Sequence, residues 1–418
     1  MIRASILGSM VAFSLLSSGM LAAETGKLQI NGFISQGYIN SQENSFLDPN
    51  SIDGSFQVSE VGLTFTMPVN DKLRIGMQLL SNVLGEEGGN EVNVDWAYAD
   101  YRAYDWLGLR VGKIKQPLGL YNETRDSDFL RPMAFLPQSV YDEMQRGYQL
   151  SALGLGTYGN VGLGALGDLD YQLFYGQQQI SNDGVLVQAG IKDGMNQLVS
   201  GVASAFGAIA NVTEVKYQSD YAMIASITYN SSLDGLRLAA SYKEAYGDFV
   251  VDVADPFGVY NGIVNDFDIV ANVPSNLILS AEYQFSQVNL QAEFVRRENE
   301  ILAPGLAPLT PFIGNQVDFL TSTSEGMYVM ATWQAPQVSG LSFSLLYDEF
   351  YLDEDDHKDS TKYRKDLGLG VRYDINQNWL VKAEWHDIEG TAMNMGFVNE
   401  DAMKEDWSYF IVKTSFNF

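Results

Sequence analysis

Charged side chains of both signs are concentrated between positions 102 and 146, and they are the first indication of chemistry in this sequence. The stretch holds seven of the 25 Lys and Arg residues of the chain. Its charged residues are Arg102, Asp105, Arg110, Lys113, Lys115, Glu123, Arg125, Asp126, Asp128, Arg131, Asp142, Glu143 and Arg146. Opposed charges across a narrow aqueous gap create a transverse field, which orders polar solutes and hinders lipophilic ones.

Residues suited to catalysis are scarce. The chain has no cysteine and only two histidines, His357 and His386, which disfavours thiol nucleophiles, zinc sites and most histidine-based catalysis. His386 is beside Glu384 in a strand-like stretch, so an enzymatic protein of the lipase or protease kind is an alternative. It would need a nucleophile within reach of that base. We expect no cofactor and no metal ion.

Export is indicated by the first 23 residues. They combine Arg3, an apolar centre at 6–16 and small residues before Glu24, which is typical of a Sec-type signal peptide. The remainder, 24–418, lacks the roughly 18 to 20 uncharged apolar residues of a membrane helix. A formal net charge of −27 argues against nucleic acid as a partner. An exported chain of this kind is either soluble or a closed barrel in an outer membrane.

Alternating polarity recurs along the chain and predicts β-strands. In 73–81, for example, Leu73, Ile75 and Met77 alternate with polar residues or glycine, which is the two-residue period of a strand. The pattern predicts sixteen strands at 28–39, 56–67, 73–81, 92–102, 107–115, 147–158, 169–176, 221–229, 236–246, 275–285, 288–298, 324–334, 340–351, 363–373, 379–387 and 407–418.

The connections alternate between short and long, which favours a 16-stranded antiparallel transmembrane β-barrel over a soluble β-sandwich. Connections after even-numbered strands are short, and those after odd-numbered strands run from about ten residues to more than forty, the pattern of short periplasmic turns and long extracellular loops. A sandwich would leave sheet edges to protect and would not explain this regularity.

The predicted barrel has two distinct faces. In the last strand Phe410, Val412, Phe416 and Phe418 share one face, which we expect to contact lipid while the strand pairs with the first one. Trp106, Trp333 and Trp379 near short turns, with Trp385 and Trp407 toward the opposite ends, are expected to form two aromatic girdles.

The side chains on the strand face opposite to the lipid-contacting one are expected to line the lumen. They are Arg74, Asp100, Arg102, Arg110, Arg237, Lys243, Glu282, Glu293, Arg372, Lys382, Glu384 and Lys413. Any one of them could simply solvate the inner wall. Lys113 shares its parity with lipid-facing Leu109 and Val111, so lining the pore would require a bulge near Gly112; otherwise its part of the strand has already left the membrane.

The chain resembles the Gram-negative outer-membrane porins. The resemblance is carried by the strand layout, by the terminal Phe418, and by RVGKIKQPLGLYNETRD and FLRPMAFLPQSVYDE within 110–143, which look like the phosphate-selective porin O and P and DcaP-like group. It implies that the third long loop, 116–146, folds into the lumen as a constriction. It also implies recognition by the barrel-assembly machinery and a homotrimer.

The sequence therefore predicts a water-filled channel for passive diffusion of small hydrophilic or ionic solutes. The predicted pore-lining or constriction residues are Arg74, Arg102, Arg110, Lys113, Glu123, Arg125, Asp126, Asp128, Arg131, Arg372, Lys382 and Glu384. Contact with the lipid bilayer and lipopolysaccharide is expected, and an adhesive or structural barrel is a further alternative. The natural solute, the sign of ion selectivity, the position of the 177–220 loop and divalent-ion binding by the acidic loop 352–360 stay open.

Overall fold

A closed barrel of sixteen antiparallel β-strands forms the protein, as the sequence predicts. The computed structural model describes residues 26–85, 88–182, 184, 186–314, 318–394, 399 and 403–418; the predicted signal peptide lies outside them. The strands are β1 (Gln29–Gln42), β2 (Ser55–Pro68), β3 (Leu73–Leu84), β4 (Asn93–Tyr104), β5 (Leu107–Lys115), β6 (Ser151–Gly162), β7 (Gly167–Gln178), β8 (Asn211–Ser231), β9 (Leu236–Ala254), β10 (Ile269–Phe285), β11 (Val288–Leu302), β12 (Asp318–Gln334), β13 (Leu341–Tyr351), β14 (Tyr363–Asn376), β15 (Trp379–Glu389) and β16 (Asp406–Asn417).

Helices occur only in the connections of the described chain. The α-helices are α1 (Arg146–Gln149), α2 (Asp193–Ala205) and α3 (Thr310–Ile313). A π-helical turn at Leu186–Lys192 precedes α2, and short 3₁₀ helices are found at Pro49–Ile52, Asn122–Thr124, Asp128–Leu130, Gly164–Leu166 and Pro304–Leu309. No helix in the described ranges has the length and apolar character to cross a bilayer.

The seam between the first and last strands closes the sheet. β1 pairs with β16 from Phe33 opposite Asn417 to Gln42 opposite Ser408. Beyond that ladder, Gly32 and Phe418 exchange two backbone hydrogen bonds of 3.0 Å. The terminal residue is thus part of the closure, which removes the unpaired edge that lipid would not tolerate.

The outer surface is an apolar belt, as the alternation predicts. One row of paired residues runs across five neighbouring strands through Ala331, Leu345, Leu369, Trp385 and Phe410, and the last four are exposed. Their sequence neighbours on the inner face are buried. Exposed apolar side chains arranged in this way match the hydrocarbon-facing band of a membrane barrel.

Four of the five tryptophans that were expected in the aromatic girdles lie on the outer face of the barrel. Trp106, Trp333, Trp379 and Trp385 are exposed on the outer surface. Trp407 is buried instead, and its indole N–H donates to the carbonyl of Gly390 at 3.0 Å. The expectation for Trp407 was wrong because it lies on the inward parity of β16.

Two strands are much longer than the sequence predicts. β8 has 21 residues and β9 has 19, whereas a tilted strand needs only about 9–11 to cross a bilayer. The prediction ended these strands where acidic residues become frequent, but backbone pairing continues past them. The excess forms a hairpin extension beyond the long-loop end of the membrane band.

The 177–220 loop uses this extension as its support. Val199 of α2 is buried with Phe249 and Val251 of β9, which share the inward parity of Lys243. The hydroxyl of Tyr260 donates to the carbonyl of Val199 at 2.5 Å. The amphipathic helix therefore packs on the inner side of the extended wall at the barrel mouth.

A charge introduced into the outer belt tests the assignment of the lipid face. Leu345→Arg, near the middle of β13, is expected to lower the free energy of unfolding by about 2–4 kcal/mol, the cost of Arg near a bilayer midplane. Denaturant unfolding in lipid vesicles measures it. Ile52→Arg, at an exposed site in the first long loop, serves as control and should change little. Equal effects at both sites would contradict the lipid-facing assignment.

Candidate functional site

The third loop, residues 116–146, crosses the lumen and packs against the inner wall. One buried apolar cluster contains Leu118, Met133, Leu136, Val140 and Tyr141 of the loop, and Ile114, Ala152, Phe174, Ile224, Ile278, Val295, Tyr328, Met330 and Leu346 of the wall. These wall residues belong to strands from β5 to β13, so the loop is held across the interior instead of along one side.

Inward carboxylates of the wall bind the main chain of the third loop. Glu293 accepts the N–H of Leu120 at 2.9 Å. Asp348 accepts the N–H groups of Gln138 and Ser139 at 2.9 and 3.2 Å. Glu384 accepts the N–H of Ala134. Buried main-chain donors need such partners, and carboxylates are strong acceptors.

Inward cations of the wall bind loop carbonyl groups in the same way. Arg372 donates to the carbonyls of Phe129 and Arg131 at 3.1 and 2.9 Å. Lys382 donates to those of Asp128 and Met133 at 2.7 and 2.9 Å. Arg372 and Lys382 therefore fix the position of the loop.

Asp128 is the centre of a buried charge network near the barrel seam. Its carboxylate lies 3.0 Å from Lys413 and 2.5 Å from the Ser415 hydroxyl, both on β16. It also pairs with Arg131 at 2.5 Å and with Lys382 at 3.6 Å. Burial alone would raise the pKa of Asp128, but the three surrounding cations outweigh it and hold this pKa well below its usual range.

A second group of charges joins the two ends of the loop to β2. Arg146 contacts Glu60 at 2.6 Å and Asp126 at 3.1 Å, and Asp126 also pairs with Lys115. Burial would raise the pKa of Asp126, yet the charges of Lys115 and Arg146 keep it below its usual range. Removing one partner of a buried pair of this kind typically costs about 3–5 kcal/mol.

Arg125 braces the loop internally. It is fully buried, donates to the carbonyls of Tyr141 and Asp142 at 2.8 Å, and pairs with Glu143 at 3.2 Å. The guanidinium thus joins the two arms of the loop, and its burial removes it from any contact with solute.

A cavity of about 840 Å³ lies between the third loop and the short-turn end of the barrel. Five of the predicted site residues line it, namely Arg74, Arg102, Arg110, Glu123 and Asp126. Aromatic residues line it as well, including Trp96, Tyr98 and Tyr158. The guanidinium of Arg110 lies between two rings, 5.3 Å from the Tyr98 centroid and 4.3 Å from that of Tyr158.

Charges of opposite sign are interspersed around this cavity. Arg74 pairs with Asp100 at 2.8 Å. Arg110 lies 3.7 Å from the same carboxylate and 3.8 Å from Glu123 of the loop. Arg102 pairs with Asp105 at 3.4 Å. The walls are therefore polar and locally balanced in charge.

The position of Lys113 differs from the expected bulge. Both ladders of β5 run through Gly112 without a register shift, with Lys113 opposite Ala97 and Leu153. Lys113 keeps the parity of Leu109, and its amine donates to the carbonyl of Val94 at 2.7 Å. It is not among the residues that line the described cavity, because the regular register leaves it on the outer face.

The predicted residues thus separate into two groups. Arg74, Arg102, Arg110, Glu123 and Asp126 line the cavity, whereas Arg125, Asp128, Arg131, Arg372, Lys382 and Glu384 hold the loop. Sequence reasoning missed Glu60, and it missed Asp95, which lies 3.9 Å from the Lys115 ammonium and accepts the side-chain N–H of Gln78 at 2.8 Å. Glu60 has the inward parity of β2 that would have identified it. By alternation along β4, Asp95 would lie on the outer face. A register shift between β3 and β4 at this residue breaks the alternation, and Asp95 is buried.

The acidic loop 352–360 uses its carboxylates in ion pairs with neighbouring cations. Glu354 pairs with Arg296 at 2.7 Å and Asp356 with Lys362 at 2.9 Å. In the described part of the chain, no group of three or more His, Asp or Glu side chains is arranged to hold a metal ion.

Comparison with solved structures gives the same architecture in several outer-membrane proteins. OmpF of Salmonella typhi, in complex with daunomycin, superposes with a TM-score of 0.56 at 13% identity, covering 94% of this chain and 98% of that one. The trimer form of OmpT of Vibrio cholerae gives 0.55 at 11%, covering 94% and 100%. The outer-membrane channel DcaP of Acinetobacter baumannii gives 0.50 at 11%, covering 94% and 98%.

Sequence comparisons identify the family. The search of curated proteins found no match. The family model described as Gram-negative porin matches residues 8–392, which is most of the chain. The matched range includes all the wall residues described above that bind the third loop, except Lys413 and Ser415. This chain therefore belongs to the Gram-negative porin family.

Proposed function

We propose that this porin is a water-filled outer-membrane channel for passive diffusion of small hydrophilic or ionic solutes, with the third loop as its constriction. The observation that carries the proposal is the attachment of that loop across the lumen. Wall side chains from β11, β13, β14 and β15 bind its main chain directly. A loop held at this many points gives a constriction of fixed size.

The cavity residues are proposed to contact the solute. Arg74, Arg102, Arg110 and Glu123 present charges of both signs to the aqueous space, and Asp126 lies at its edge within a buried ion-pair network. A hydrophilic solute would exchange part of its hydration shell for contacts with these charged groups, and a lipophilic solute would gain little from them. The residues that hold the loop act indirectly, since they fix the width of the passage.

The family and the fold support a proposal for the setting of the channel. We propose that residues 1–23 are a cleaved signal peptide, that the short turns face the periplasm, and that the β16 terminus is recognised by the barrel-assembly machinery. The OmpT structure is described as a trimer form, and a homotrimer surrounded by lipid and lipopolysaccharide is the proposed state here.

An enzymatic barrel is a weaker candidate. His386 is buried, with its Nδ1 at 2.8 Å from Asp366 and its ring stacked at 4.3 Å on Tyr409. Its other nitrogen faces Glu384 at 3.4 Å. Both nitrogens face carboxylates, an arrangement that supports a structural role and favours a channel over a catalyst.

The first functional prediction concerns Asp128. Asp128→Asn removes the charge that Lys413, Lys382 and Arg131 share, at a cost of about 3–5 kcal/mol to the attachment of the loop. We expect larger current fluctuations and a higher mean conductance in planar bilayers, with normal insertion. Asp234→Asn, in an exposed turn between β8 and β9, is the control. Unchanged conductance and noise in Asp128→Asn would contradict the proposed role of the loop.

The second prediction concerns pH. Because the pKa values of Asp126 and Asp128 are both lowered, their contribution is complete above the ordinary carboxyl pKa of about 4 and is lost only as pH falls toward the lowered values. Asp128→Asn should already be noisy at neutral pH. The difference in current noise between Asp128→Asn and the wild type should stay constant from neutral pH to about 4 and shrink below it, as Asp128 becomes protonated. A difference that already shrinks well above that range would refute this assignment.

The third prediction concerns selectivity. A unit charge about 8 Å from a permeating ion in water contributes about 0.5 kcal/mol, roughly a twofold change in a permeability ratio. Arg110→Gln should therefore shift the reversal potential in a salt gradient toward cation preference by about that ratio. Arg296→Gln, which alters an exposed ion pair with Glu354, should leave it unchanged. A shift of the same size in both variants would show that Arg110 has no special place in the path.

A further inference from the structure

Two inward cations lie in one row of the inner wall. Asn276 of β10 is directly opposite Lys243 of β9 and Arg297 of β11. Paired residues on neighbouring strands have Cα atoms about 4.5–5.5 Å apart. The two cationic side chains therefore start from positions roughly 10 Å apart, on either side of one asparagine and on the same face of the sheet.

Lys243 is buried, and no carboxylate of the described chain forms an ion pair with it. Its side chain is fully inaccessible, and its ammonium donates to the Gln178 side-chain oxygen at 3.0 Å. The same nitrogen lies 3.9 Å from the centre of the Tyr148 ring. An ammonium has three N–H donors, and these neutral groups do not cancel its charge.

Arg297 is buried in a similar way. It is 8% exposed, and one terminal nitrogen donates to the side-chain oxygen of Gln145 at 3.1 Å. Its Nε is buried and lacks a hydrogen-bond partner in the described structure. Asp142 of the third loop acts on Arg297 electrostatically, but no ion pair joins these two described side chains.

The groups between the cations are also incompletely paired. The Asn276 side chain is 4% exposed and its oxygen has no partner among the described groups. The oxygen and nitrogen of a carboxamide exchange places when the group rotates by 180°. Asn276 can therefore direct its NH₂ group to the position that its unpartnered oxygen occupies. Elsewhere on this wall, inward cations such as Lys382 and Lys413 have carboxylate partners.

We propose that Lys243, Asn276 and Arg297 bind a small inorganic anion of the size of chloride. A buried ammonium with no carboxylate at ion-pair distance among the described residues is strongly unfavourable, and an anion between the two cations would supply an acceptor for the ammonium and for Nε of Arg297. The burial of Lys243, Asn276 and Arg297 restricts the ligand to a small ion. The site lies beneath Gln145 and Tyr148, so the bound anion would also stabilise the end of the third loop.

This site is independent of conduction. It goes beyond the proposed channel function, because the buried row is separate from the cavity residues and the anion is a resident ligand instead of a permeating solute. A channel that conducts without the anion would leave the diffusion proposal intact. A protein that binds the anion without conducting would leave the proposal of the anion site intact.

Halide binding to the intact wild-type protein is the first test. Crystals soaked in bromide should give an anomalous peak within contact distance of the Lys243 ammonium and of Nε of Arg297. In detergent at constant ionic strength and pH, replacing gluconate by chloride should raise the Tm by about 1–3 °C for each tenfold rise in chloride. Bromide peaks confined to exposed positions, or equal Tm in chloride and gluconate, would overturn the proposal.

Charge removal at the site is the second test. Lys243→Met should abolish the chloride dependence of Tm, and in gluconate it should be at least as stable as the wild type, because an uncompensated buried charge is gone. Lys243→Arg should retain the dependence. Lys216→Met is the matched control, since Lys216 is half-exposed and paired with Glu214 at 2.5 Å. Chloride dependence that persists in Lys243→Met would assign the anion to another place and refute the site.

Discussion

The closure of the barrel between β1 and β16 is the constraint on which the rest of the structure depends. Inside lipid every backbone N–H and C=O group needs a partner, and a β-sheet supplies them all only when it is closed. The third loop reinforces this seam from within. Asp128 binds Lys413 of β16 while Arg146 and Lys413 bind Glu60 of β2, so one buried charge network connects strands on both sides of β1. The third loop thus also ties β16 to β2 across β1, the strand at the seam.

This double role explains why the inner wall is so rich in charge. A loop inside a barrel carries main-chain donors and acceptors that cannot all be satisfied by the loop itself. The wall supplies carboxylates for N–H groups and cations for carbonyl groups, as Glu293 and Lys382 show. Main-chain contacts of this kind do not depend on the loop side chains, and the ion pairs of Asp128 and Arg146 add side-chain attachments to the wall. Side chains directed to the cavity, such as Glu123, are then free to set selectivity.

The sequence was sufficient to predict the barrel, but it was insufficient to predict what the inward side chains contact. A two-residue period assigns each side chain to lipid or to lumen, and this is why Leu345, Phe410 and Lys382 were placed on their proper faces. It says nothing about what an inward side chain contacts. Lys382 and Arg372 were therefore expected to face solute, whereas they bind the loop, whose path depends on contacts distant in sequence. Periodicity also fails at irregularities, and the displaced Asp95 shows this.

Net charge is a poor guide to the selectivity of this channel because the acids and bases are distributed unevenly. The whole chain carries a formal net charge of −27. Its long-loop end holds acid-rich segments such as 352–359. By contrast, the cavity beneath the third loop is lined by almost equal numbers of acidic and basic residues, and Arg74, Arg102 and Arg110 are among them. At a Debye length of about 8 Å in physiological salt, the outer acids concentrate cations at the mouth but act weakly at the constriction. In the proposed channel, selectivity is then decided by the few charges within a Debye length of the narrowest point, and a third loop that forms the constriction determines which charges those are.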